Sequence, residues 1–352
     1  MTDNYEILTD DGVGSMDERL ASLHDKTARL LAAEGASGRH LAYTKVLLSD
    51  IANQEEALER SSLMRDIVST AAHTVIQQSP IGGPKVALLI KTSGEPSPYQ
   101  LVSMRLTDDE ALNHGSYVQT LLLFDKYVEL LGRQGLNLRD HCVRTWIYVR
   151  DIDSNYAGAV KARNDVFRQH GLTPDTHFIA STGIGGRASG RGVVVAIDFL
   201  TWPGARQQSI SYLHAPDHLN PTHEYGVAFE RGTSIMLPGR QQLFISGTAS
   251  INSRGEVVHP GDVASQTRRL IENIGALLAD GGATLHDIRY FVVYLRDLAD
   301  YGVVKAYMDS HFPDVPRVIT SASVCRPQWL VEMECVAIRP TADSDTDTRG
   351  KA

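Results

Sequence analysis

Two glutamates two residues apart, Glu332 and Glu334, stand in the run WLVEMECVAI. In an extended strand, residues i and i+2 share a face, so both carboxyls point the same way. Two like charges on one buried face raise the pKa of at least one of them, which suits a general acid. The plainer alternative is a strand edge with solvated carboxylates, and the alternation alone does not decide. Cys325 is followed by Arg326. A neighbouring cation lowers a thiol pKa, although a lone strand Cys is more often a small buried hydrophobe. The stretch HAPDHLNPTHEYGVAFERGTS gathers His214, His218, His223, Glu224, Tyr225, Glu230 and Arg231. Such a density of titratable groups can supply acid–base partners or substrate contacts. His223, Glu224, Tyr225 and Arg231 are its candidates for substrate contact. Pro221 breaks any helix that would align His218 with His223 and Glu224, and no HExxH pattern occurs, so no metal site is expected. The glycines of STGIGGRASGRG lie between two strands rather than before a helix. They are not a dinucleotide fingerprint, and no cofactor is expected.

The elements that must position these residues come from a repeat. Three segments share one pattern: Leu30 to Ile51, Leu130 to Ile152 and Leu277 to Leu298. In each, a Leu-Leu pair precedes a glycine (Gly35, Gly135, Gly282), and a strand-like run then ends in an aspartate (Asp50, Asp151, Asp297). The glycine fits a left-handed helix C-cap. The aspartate fits the N-cap of a second helix, as does Asp262 before the third copy's long helix. Two extended runs close each copy: TVIQQSP and KVALLIKTS, FIASTG and GVVVAIDFL, VITSASVC and WLVEMECVAI. YQLVSMRL and QLFISGTASI open the second and third copies, whereas the first shows at most a stub near Tyr5 to Leu8. The expected fold is therefore α+β: tandem β-α-β-α-β-β units, with mixed sheets carrying helices on one face. The expected division is a degenerate first unit over 1–97, a second over 98–205 and a third over 206–340. Residues 206–239 read as an inserted loop in the third unit, and 341–352 as a disordered tail.

The chain has 352 residues, with 34 Lys and Arg against 42 Asp and Glu, for a formal net charge of −8. That balance argues against a nucleic-acid binder. No apolar run is long enough to span a bilayer, and the opening MTDNYEILTDDG is acidic and lacks an apolar stretch, so no membrane partner or secretory signal is expected. The three cysteines, Cys142, Cys325 and Cys335, make no disulfide framework, and a cytoplasmic location is expected.

The third copy resembles the Rid family of reactive intermediate deaminases. The resemblance lies in GDVASQTRRLIENIGALLADGGATLHDI, VVYLRDL, FPDVPRV and LVEMECVAI. Rid proteins are trimers with active sites at subunit clefts, so three copies in one chain imply an intramolecular pseudo-trimer, as a monomer or a homo-oligomer of it. The resemblance implies that Arg317, in FPDVPRV, grips a substrate carboxylate and that Glu334 positions water. A narrower resemblance is to the chorismatases, through RTWIYVRDI, ARNDVF, IASTGIGG, LFISGTASI, VVHPGDV and CRPQWLVEME in the same order. It implies Glu332 as the catalytic residue, Arg163 near a substrate-binding position, and Gly247 and Cys325 as marks of the 3-hydroxybenzoate-forming branch. Gly247, Thr248 and Ala249 would bring backbone close to substrate. Two positions differ: Ile147 stands where chorismatases have Asn, and YGVAFERG stands for their YGPR. The expected activity is metal-free acid–base chemistry on a small anionic metabolite. An imine or enamine would be hydrolysed or formed, by deamination or cyclodehydration. The alternatives are hydrolysis of chorismate to a hydroxybenzoate and pyruvate, and a non-catalytic small-ligand binder.

Overall fold

The computed structural model describes residues 3–341, with the side chain of Tyr225 outside the description. The tail expected over 341–352 lies, beyond Thr341, outside the described residues. The first copy runs β1 (Asp3–Thr9), α1 (Met16–Ala36), β2 (His40–Leu48), α2 (Ile51–Arg60), β3 (Ala72–Gln77), β4 (Ser79–Pro80) and β5 (Val86–Ser93). The second runs β6 (Gln100–Met104), α3 (Asp108–Ala111), α4 (Ser116–Arg133), α5 (Leu138–His141), β7 (Cys142–Val149), α6 (Ile152–Gln169), β8 (Ala180–Gly185) and β9 (Val195–Thr201). The third runs β10 (Ile210–Tyr212), β11 (Gly232–Leu237), β12 (Arg240–Ala249), α7 (Val263–Asp280), β13 (Ile288–Leu295), α8 (Tyr301–His311), β14 (Arg317–Ser321) and β15 (Val331–Pro340).

The strand orders β1-β5-β2-β3, β6-β9-β7-β8 and β12-β15-β13-β14 trace one path three times. In each copy the strand after the long helix pairs in parallel with the next strand and antiparallel with the last. A bulge falls at matching places in all three, between Leu41 and Tyr43, Cys142 and Arg144, and Ile288 and Tyr290. The fold is a tandem of Rid-like units.

Local chemistry explains where the sequence reading needs correction. The opening strand of the first copy is no stub: all of β1 pairs with β5, from Asp3↔Ser93 to Thr9↔Ala87. The stretch 206–239 is not all loop, because β10 and β11 extend the third sheet beyond β12. Gly135 and Gly282 take the left-handed conformation at φ 71°, whereas Gly35 stays inside α1 and Gly38 turns the chain at φ 74°. Asp50, Asp151 and Asp297 stand at helix starts, but of these Asp297 alone caps through its side chain, accepting from the Ala299 amide at 2.9 Å.

Each sheet is buried on both faces, which is why its strands read as nearly continuous apolar runs. In the first copy Val86, Leu88 and Ile90 pack with Leu20 and Leu23 of α1. The alternate residues Ala87 and Leu89 join the larger core shared with the other copies. Backbone bonds lock the copies together: Gln77 N–H to Arg187 O and Gly185 N–H to Ser323 O, both 2.8 Å, and the pairing of β4 with β14. Gly185 is required there, since a Cβ would sit 2.8 Å from Ser323 backbone atoms. Among the described residues no helix is long and apolar enough to cross a membrane.

Candidate functional site

β15 carries Glu332 and Glu334 on its inner face, both 4% exposed. Their surroundings separate them. Glu334 is locked: its carboxylate accepts from Arg144 Nη2 at 2.9 Å, Trp146 Nε1 at 2.7 Å and the Thr182 hydroxyl. All three donors come from the second copy, so this network pins the second sheet to the third. Glu332 instead faces a cavity. Burial pushes its carboxyl up to about 8, and the Glu334 charge adds to the effect; Arg144 and Arg231 oppose it without prevailing. At neutral pH Glu332 therefore keeps its proton, as the shared face of two carboxyls requires.

A bulge shapes the space in front of Glu332. Between Ile245 and Thr248 the β12–β15 register slips by one residue, which re-aims the backbone of Ser246 and Gly247. The Gly247 N–H donates to the Thr182 hydroxyl at 2.9 Å. A Cβ on Gly247 would stand 1.9 Å from Glu332 Oε1, so the glycine makes room for the acid.

The cavity holds about 260 Å³ between the second and third copies. Arg163 and Tyr156 reach it from α6, Gly183 from β8, Gly247 and Ala249 from β12, Glu332 from β15, and Cys325, Arg326 and Trp329 from the loop before β15. Phe229 and Arg231 close it from the stretch before β11. Three guanidiniums thus face one acid. Arg163 and Arg231 flank the Phe229 ring at 5.8 and 5.4 Å, and Arg326 lies 4.8 Å from the Trp329 ring centre, geometry that favours arginine over lysine. YGVAFERG therefore still brings a guanidinium to the cavity in place of the missing Pro-Arg. Ile147, where the Asn was missed, is buried in β7.

Other candidates fall elsewhere. Cys325 lines the cavity, but burial and the nearby Glu332 push its thiol up to about 12, and it hydrogen-bonds Tyr156. The expected lowering by Arg326 is outweighed, so this Cys is a wall and no thiolate. Thr248 is buried and donates to Ser246 O at 2.9 Å, away from the cavity. Arg317 does not converge with either glutamate: it donates to Phe312 O at 2.7 Å and Val315 O at 3.1 Å and pairs with Asp309. The α8 carboxylate and the turn before β14 have claimed its donors. His223 lines a neighbouring cavity; Glu224 is exposed and accepts from Asn220 at 3.3 Å. Tyr225 ends a short 3-10 turn, and its side chain lies outside the described residues. Among the described residues no three His, Cys, Asp or Glu side chains are grouped as metal ligands would be. Sequence reasoning missed Arg144, Thr182, Tyr156, Gly183, Arg326 and Trp329. A guanidinium inside the apolar strand CVRTWIYV was the available signal for Arg144.

The repeat gives each copy a position equivalent to Glu332. Tyr294 pairs with Glu332, Tyr148 with Ala196 and Leu47 with Ala87. The other two junctions hold ion pairs instead: Lys45 with Asp198 at 4.0 Å, and Arg240 with Asp3 at 3.7 Å.

The model of the family described as Endoribonuclease L-PSP matches residues 233–339. Over 97 residues the chain is 32% identical to the 3-aminoacrylate deaminase RutC of Acinetobacter baylyi, covering 27% of this chain and 77% of that protein. The chain belongs to the Rid superfamily. Within the superfamily it is also 30% identical over 222 residues to a 3-hydroxybenzoate synthase of Streptomyces hygroscopicus, covering 55% of this chain and 63%, under two thirds, of that protein. A chorismatase crystal structure superposes with a TM-score of 0.66 at 19% identity, covering 84% of this chain and 92% of that one. That likeness places the Rid-like copies here in the arrangement of a chorismatase fold.

Proposed function

We propose that this Rid-superfamily chain is an acid–base enzyme for a small metabolite bearing more than one negative charge, with Glu332 as its proton donor. The observation that carries this reading is a buried carboxyl, its pKa raised by that burial, inside a 260 Å³ cavity walled by Arg163, Arg231 and Arg326. Bound carboxylates would neutralise the cations that hold the Glu332 pKa down, and would expel water. Both effects keep the proton on Glu332 until it is transferred.

The reaction this arrangement suits best is of the chorismatase type. Glu332 protonates an enol-ether methylene, water adds at the ether carbon, and the hemiketal collapses to release pyruvate. Loss of water from the ring fragment then leaves a hydroxybenzoate. The step needs a proton donor and cationic clamps, both supplied by the chain. The similarity to a 3-hydroxybenzoate synthase supports the same reading. Imine or enamine hydrolysis through Arg317 and Glu334 has less support, because Asp309 and Arg144 already occupy those side chains.

The test is to mix pure protein with chorismate and follow pyruvate with a coupled dehydrogenase. Release that disappears in Glu332→Gln is the expected result. No pyruvate at high enzyme concentration sinks the reading, and ammonia release from 2-imino acids in its place would favour deamination.

A further inference from the structure

Beside the cavity that holds Glu332 lies a larger one of about 400 Å³, which the reaction above does not use. The two share a wall, because Phe229 and Arg231 line both. We propose that the outer cavity is a second small-molecule site. Its ligand is a planar aromatic monocarboxylate with a ring hydroxyl or amino group, the carboxylate lying against Arg231.

The size is that of a small-ligand pocket. One side carries two aromatic rings packed on each other: His177 and Tyr212 stack at 4.5 Å with their planes 12° apart. The Phe178 and Phe229 rings complete an aromatic lining, which favours a ligand with a π face over a saturated ring. Arg231 is buried at the inner end and donates to the Asn220 carbonyl at 3.1 Å. Its planar fork matches a carboxylate. Glu230 beside it accepts from the Phe178 amide at 2.8 Å and supplies an acceptor for a ring O–H or N–H. Charge separates the two cavities. The inner one sets three guanidiniums against a protonated acid and suits several negative charges. The outer one sets one guanidinium against one carboxylate and suits a single negative charge with a donor beside it. Because Arg231 faces both, a ligand in either cavity draws on the same guanidinium, and the two weaken each other's binding. This site does not rest on the chemistry assigned to Glu332.

The experiment is calorimetric titration of the full chain with 3-hydroxybenzoate, benzoate and cyclohexanecarboxylate. Saturable binding is expected, strongest for 3-hydroxybenzoate and roughly tenfold or more weaker for the saturated ring. Ala215 lines the outer cavity and is itself buried. Ala215→Trp fills that space and removes one equivalent of binding. His177→Ala removes half of the stacked wall and weakens the same equivalent several-fold, and it decides the matter should the Trp variant fail to fold. Gly247→Ala, which crowds the inner cavity, leaves that equivalent in place. Three results overturn the proposal: no saturable binding up to about 10 mM, saturated and aromatic acids binding alike, or binding lost in Gly247→Ala but kept in Ala215→Trp and His177→Ala.

Discussion

Glu332 and Glu334 share a strand face and little else. One is held inside a ring of donors; the other stands at a cavity wall, where burial raises its pKa. The pH consequences have a definite sign. Glu332 rises from 4.5 to about 8 on folding, so activity that needs its proton is flat below that value. It should fall about tenfold per pH unit above it, which a kcat/KM profile between pH 6 and 10 checks. Between those two pKa values the native chain binds more protons than the unfolded chain, so this group's contribution to stability declines as pH rises through that window. Glu332→Gln lacks this dependence, and its melting temperature should gain on the wild type from pH 5 to pH 8.5. Gly247→Ala tests the same carboxyl by steric means. Displacing Glu332 Oε1 should lower kcat by roughly a hundredfold or more while far-ultraviolet circular dichroism stays unchanged. At this scale the sequence showed that the two carboxyls share a face. It did not show which one a second-copy arginine would claim, because Arg144 and Glu334 lie 190 positions apart.

At the scale of elements, helices and strands were legible because their local signals agree: amphipathic helix, turn glycine, β-branched run, aspartate. Gly135 and Gly282 obey that grammar, and Gly135 has open space around the missing Cβ. Gly135→Ala therefore meets backbone strain alone and should cost about 1–2 kcal/mol, read as a lower denaturation midpoint with activity per folded molecule unchanged. Gly35 misled, since α1 continues through it to Ala36. The decisive local irregularity, the bulge at Ser246–Gly247, has only its interior glycine as a signal. ISGTA reads as ordinary alternating strand, and the extra residue appears only when β12 is set against β15. The stretch 206–239 is similar. Its proline and histidine content hides β10 and β11, which pair with each other across some twenty positions, and β11 alone reaches a partner outside it, β12.

The whole molecule is one topology used three times, and its copies have diverged where they meet. The first copy was the hardest to read because its shared surface departs furthest: Lys45 and Lys91 replace apolar or aromatic residues on an inner face. The Arg144–Glu334 pair joins the second sheet to the third. Arg144→Met, which leaves Glu334 buried without its cation, should destabilise the chain by about 3–5 kcal/mol, measured by chemical denaturation. Divergence also sets the number of working sites. A homotrimer of identical subunits repeats its cleft three times, but here the position of Glu332 is taken by Ala196 in the second copy and Ala87 in the first. Lys45–Asp198 and Arg240–Asp3 hold the other two junctions. Glu332→Gln alone should therefore remove essentially all turnover, a fall of about 10²–10⁴-fold in kcat. Were the other two junctions equally active, the single change would leave about two thirds of the wild-type rate. An activity assay on the purified variant, with active sites counted by a tight-binding dicarboxylate inhibitor, separates the two cases.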